Sequence, residues 1–88
     1  RRCYVIDLAL PSGPALYVGE TGKTVEERFR EHKAGYKAGG LVQEHGTGLN
    51  RALMADLPTF PDQMTSCAYE VYRGKKLQLQ GHTVFGAH

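Results

Sequence analysis

From Cys3 to Leu10 the chain is rich in apolar and β-forming residues (Tyr4, Val5, Ile6, Leu8), alternates only weakly, and stops at Pro11-Ser12-Gly13-Pro14. A run of this kind closed by Pro and Gly predicts a strand and a turn. Ala15 to Gly19 predicts a second strand, and the short spacing makes an antiparallel hairpin the expected pairing. The period then changes. Val25 and Phe29 form an apolar line at helical spacing, while Glu26, Glu27, Arg30 and Glu31 take a wet face. Thr24 followed three residues later by Glu27 makes a capping box, so the helix starts at about Thr24. It ends near Ala34-Gly35, where glycine suits the left-handed residue past a helix end.

Between Tyr36 and Gly48 the chain is dense in glycine (Gly39, Gly40, Gly46, Gly48) and polar residues, and no regular structure is expected. Leu49, Ala52, Leu53 and Leu57 predict a helix over Leu49 to Leu57, stopped by Pro58, and Pro61-Asp62 opens another turn. A last helix is expected from about Thr65 to Gln80 with Ala68, Val71 or Tyr72, and Leu79 inward. Gly74 weakens it by about 1 kcal/mol relative to Ala. A short edge strand follows at Thr83-Val84-Phe85. A competing pattern pairs Lys75–Gln80 with Thr83–Phe85 as a hairpin across Gly81-His82. The fold class is α/β (α+β): a small antiparallel sheet of about three strands flanked by helices, without internal repeats or low-complexity segments.

The helical period also sorts the chemistry. Arg28 and His32 form a second line beside Val25 and Phe29 and emerge at the margin of the core. A guanidinium and an imidazole there, near Tyr17 at the end of a strand, make an edge suited to handling phosphate. The plainer reading is that both residues solvate the helix flank.

Composition bounds the function. At 88 residues the chain is one domain, 1–88, with a modest core. The balance of 11 Lys+Arg against 9 Asp+Glu gives a net charge of +2, far from the bias of a dedicated nucleic-acid coat. Arg1, Arg2, Lys23, Arg28, Arg30, Lys33, Lys37 and Arg51 nevertheless all fall in the first two-thirds. Cys3 and Cys67 show neither CxxC spacing nor a nearby histidine pair, which excludes a zinc knuckle and a redox dithiol and implies small buried residues in a reduced compartment. No apolar run approaches a membrane span and no signal-peptide pattern is present, so an intracellular, cytoplasmic protein with no membrane partner is expected. The chain does not begin with Met, which implies a piece excised or processed from a longer protein with neighbouring domains.

With Tyr17-Val18-Gly19, the upstream Arg2-Cys3-Tyr4, and Arg28 and His32 four apart, the chain resembles the GIY-YIG nuclease family. That family includes the amino-terminal domain of the excinuclease C subunit, some homing endonucleases and some restriction enzymes. Tyr4 to Tyr17 spans 13 positions and Tyr17 to Arg28 spans 11, and Glu70 falls early in the final helix, all as the resemblance would lead one to expect. The chain departs from the pattern where Arg2 and Cys3 replace the usual Gly and Ile. It departs again where His82-Thr83-Val84-Phe85-Gly86 replaces a segment that in many relatives carries Pro and Asn.

The resemblance implies a metal-dependent endonuclease acting on DNA by a one-metal mechanism. Tyr4 or Tyr17 would take or orient the attacking water's proton, and a neighbouring cation would have to lower a phenol pKa that is ordinarily near 10. Arg28 would clamp the phosphate and His32 relay a proton or bind phosphate. Glu70 would hold Mg2+ or Mn2+, with water and phosphate oxygen filling the shell. Lys23, in the turn before the helix, would touch the DNA backbone or stand as a wet loop lysine. A double-strand cut would require a second chain or two visits, and sequence specificity would come from further domains. The alternative is a catalytically inactive nucleic-acid-binding or protein-interaction module of the same fold.

Overall fold

The computed structural model describes residues 1–36 and 39–87; Lys37 and Ala38, within the glycine-dense stretch, and His88 lie outside the described residues. Strands β1 (Arg2–Leu10) and β2 (Gly13–Thr21) form the expected antiparallel hairpin, in register from Arg2 opposite Thr21 to Leu10 opposite Gly13. The weak alternation of β1 has a physical reason, because both faces of the strand are covered. Tyr4, Ile6 and Leu8 join Ala15, Val25 and Val42 on one face, and Val5 joins Leu16, Val18 and Leu77 on the other.

Helix α1 (Val25–Ala34) is capped as its sequence dictates. The Thr24 hydroxyl accepts from the Glu27 amide at 3.1 Å, the Glu27 side chain accepts from the Thr24 amide at 3.4 Å, and Gly35 closes the helix at φ 81°.

The glycine-dense stretch departs from expectation. It holds a short helix, α2 (Gly40–His45), and a strand, β3 (Gly46–Leu49), which pairs antiparallel with β1 through a register shift at Asp7 and Leu8. Two tertiary contacts stabilise what local propensity disfavours. Val42 is buried in the core, and Lys33 Nζ donates to the carbonyls of Gln43 and Gly46 at 3.0 and 2.9 Å. With Leu49 drawn into β3, the expected Leu49–Leu57 helix shortens to α3 (Arg51–Met54), capped by the Asn50 side chain.

Helix α4 (Gln63–Leu79) starts at Asp62, whose carboxylate accepts from the Thr65 amide at 2.7 Å. It excludes the competing hairpin, but its face is not the expected one. Ser66, Glu70, Arg73, Gly74 and Leu77 are buried, whereas Ala68, Tyr72 and Leu79 are exposed and Val71 is half-buried. On the inward face Leu77 packs with Val5, Leu16 and Val18, and Gly74 allows close approach, since an added Cβ there would overlap the Ala87 side chain. Strand β4 (Val84–Gly86) pairs with β2 in parallel, so the sheet is four-stranded and mixed, order β3-β1-β2-β4, rather than three-stranded and antiparallel. The protein is a compact α+β domain. No helix among the described residues is long and apolar enough to cross a membrane.

Candidate functional site

The hairpin places Tyr4 opposite Gly19 and Tyr17 opposite Ile6, so both phenols project from the face covered by α1. Tyr4 and Tyr17 stack with ring centroids 6.5 Å apart. His32, in the last turn of α1, meets both rings edge-on, at 5.8 Å from Tyr4 and 5.2 Å from Tyr17. The Tyr4 hydroxyl and His32 Nε2 are hydrogen-bonded at 2.8 Å, and both residues are 2% exposed. His32 therefore does not solvate a helix flank.

Gly19 permits this arrangement. A Cβ there would overlap the Tyr4 hydroxyl, so the tyrosine can lie over β2 only where its partner lacks a side chain. Gly86 does the same beside Tyr17: a Cβ would come within 3.1 Å of the ring, and φ is 72°. Gly19 was named from the sequence as part of Tyr17-Val18-Gly19, but neither glycine was given this packing role, although an isolated glycine in a strand signals close approach.

Burial governs the protonation of the cluster. It pushes the Tyr4 phenol up, helped by the neighbouring Tyr17, and the charge and hydrogen bonding of Arg28 pull the other way without prevailing. Burial likewise raises Tyr17, with the Glu70 charge adding to it and Arg28 opposing. The cation expected to lower a phenol is thus in place, but desolvation outweighs it. His32 is pushed down to about 4, first by burial and then by the Arg28 charge, so the imidazole is neutral at pH 7. Among the described residues, His32 Nδ1 has no hydrogen-bond partner.

Arg28, from the same helix, is half-buried. Its Nη1 donates to Glu31 Oε1 and to the Tyr36 carbonyl, both at 3.2 Å. Lys23 Nζ also pairs with Glu31 and lies 5.9 Å from the Tyr36 ring centroid. Together with Arg1, Glu20, Thr21, Gly22 and Gln63, these residues line an open basin at the end of the hairpin. Glu31, assigned to the wet face from periodicity, is in fact half-buried in this network. Its spacing of three from Arg28 was the available signal.

Glu70 comes from α4, the helix covering the other face of the sheet. It is buried, not solvated, and its carboxylate charge reaches both phenols, ranking higher among the influences on Tyr17 than on Tyr4. Among the described residues, no group of three or more His, Cys, Asp and Glu side chains is arranged to hold a metal ion. The Glu70 carboxylate is the kind of ligand a hard divalent ion takes, with the rest of the shell then coming from water and phosphate oxygens. Cys3 is buried, its thiol pushed up to about 11 chiefly by desolvation, and Cys67 is half-buried; both are free thiols.

Compared with family models, curated proteins and solved structures, the chain matches none.

Proposed function

We propose that the domain is a metal-dependent endonuclease of GIY-YIG type that hydrolyses DNA phosphodiester bonds. The observation that carries this reading is the buried Tyr4–His32 hydrogen bond at 2.8 Å, within a cluster where Tyr17, Arg28 and Glu70 all act on the phenols. A buried phenol with a raised pKa is a poor base by itself. It becomes useful when its own proton has somewhere to go, and His32, hydrogen-bonded to it, is the group placed to take it; with a pKa near 4 the imidazole holds that proton only for the length of the transfer.

In this mechanism water attacks phosphorus and gives a proton to the Tyr4 oxygen while the Tyr4 proton passes to His32 Nε2. No free phenolate forms. The bond from phosphorus to the 3′ oxygen breaks, that oxygen takes a proton from solvent, and His32 returns its extra proton to solvent. Tyr17, stacked on Tyr4, orients the water or the phosphate. Arg28 holds the non-bridging oxygens with its planar fork as negative charge builds. A divalent ion, Mg2+ or Mn2+, held by Glu70 when bound, supplies further positive charge for the phosphorane and the departing oxygen. Lys23 contacts the adjoining backbone.

The test is nicking of supercoiled plasmid with Mg2+ or Mn2+ by the parent and by Arg28→Ala, Glu70→Ala and Tyr4→Phe. The parent nicks in a metal-dependent way, and each variant falls by at least about 100-fold while staying folded by circular dichroism. Equal activity in all four overturns the assignment. Binding of DNA without nicking by the parent supports the inactive-module alternative instead.

A further inference from the structure

Glu31 occupies an unusual place for a helix-surface carboxylate. Each of its oxygens takes a cation that the reading above assigns to DNA phosphate: Oε1 accepts from Arg28 at 3.2 Å and Oε2 from Lys23. The three side chains line one basin, and the Glu31 side chain is only 22% exposed. The hydrogen bond from Lys23, and after it that from Arg28, hold its carboxyl below the usual range. A second carboxylate of the basin, Glu20, is engaged by Arg1 through two bonds of 3.0 and 2.9 Å. The basin therefore meets an incoming strand with its cations already paired to internal anions.

We propose that Glu31 acts as an internal stand-in for phosphate: it keeps Lys23 and Arg28 gathered in the unbound protein, and a nucleic-acid phosphate must displace it from them to bind. This rests on the nuclease reading and adds a residue that sets substrate affinity. A carboxylate and a phosphate oxygen present the same kind of acceptor to a guanidinium or an ammonium, so the exchange is geometrically direct. Its energetic consequence is bounded, since exposed ion pairs are individually weak. Glu31 thereby discriminates against stray anions that cannot bring several phosphates at once.

The experiment measures affinity for a short DNA duplex in EDTA, where no cleavage occurs, for the parent, Glu31→Gln, Arg28→Ala and Glu44→Gln. Glu44 is exposed, lies outside the basin and carries the same charge, so its substitution controls for net charge alone. Glu31→Gln binds about three- to tenfold tighter than Glu44→Gln. Its logarithmic salt slope steepens by about one, because the released Lys23 neutralises a further phosphate, and adding Lys23→Gln removes that increment. Affinity of Glu31→Gln equal to or weaker than that of Glu44→Gln, with Arg28-dependent binding intact, overturns this proposal and leaves the nuclease reading standing. Binding that is indifferent to Arg28 overturns both.

Discussion

At the scale of single residues, His32 ties the stability of the fold to pH. Its folded-state pKa of about 4 lies below the ordinary 6.5, so between those values the unfolded chain binds a proton that the folded chain refuses. Stability is therefore fully present above pH 6.5 and is lost as pH falls through that window. The loss amounts to about 3 kcal/mol by pH 4, since each pH unit between the two values contributes about 1.4 kcal/mol. Urea melts of the parent and of His32→Gln at pH 7 and pH 4 check it. The parent loses that much more stability than the variant, and an equal loss in both would show that the imidazole is not buried neutral. The same burial that keeps the imidazole neutral at pH 7 also makes it a weaker base than an exposed one.

At the scale of elements, α1 and α4 contrast. In α1 the capping residues, the apolar line and the closing glycine all agree, and the helix forms where its sequence places it. In α4 the bounds agree to within a residue or two, but the phase does not, because the apolar residues are spread around the helix. Leu77 is 1% exposed and Leu79 is 89% exposed. Leu77→Ala is expected to cost about 2–5 kcal/mol by leaving a cavity against Val5, Leu16 and Val18. Leu79→Gln should change stability by no more than about 0.5 kcal/mol. Chemical denaturation of the pair decides the phase, and a reversal would place the helix the other way round. That phase is what buries Glu70.

At the scale of the whole molecule, the closure of the fold depends on β4 and the residues after it packing on α4. The Ala87 amide donates to the Val18 carbonyl at 2.9 Å, and the Ala87 side chain fills the space over Gly74. Helix propensity alone would favour Gly74→Ala by about 1 kcal/mol. Overpacking against Ala87 costs about 1–3 kcal/mol, and the second effect wins. The expected result is a melting temperature lowered by several degrees, about 4–8 °C for each net kcal/mol in a domain of this size. A raised melting temperature in calorimetry would mean that the contact is absent. The ring cluster of Tyr4, Tyr17 and His32 also draws on β1, β2 and α1 at once, so no single stretch of sequence contains it.

Local chemistry wrote much of this protein legibly. The hairpin, the capped helix α1, and the placing of Arg28 and His32 beside its apolar line follow from turn residues, capping side chains and the 3.6-residue period, all of which act within a few positions. Tyr4, Tyr17 and His32, named from spacing and resemblance, meet in one cluster of rings. What only the tertiary structure decided was everything that depends on who faces whom. β3 forms from glycine-rich sequence because β1 offers an edge to pair with, and β4 runs parallel because α4 returns the chain along the hairpin. Glu31 joins two cations across a basin. The phenols are raised, not lowered, because desolvation is a property of the assembled interior, to which distant residues contribute and which no local pattern encodes.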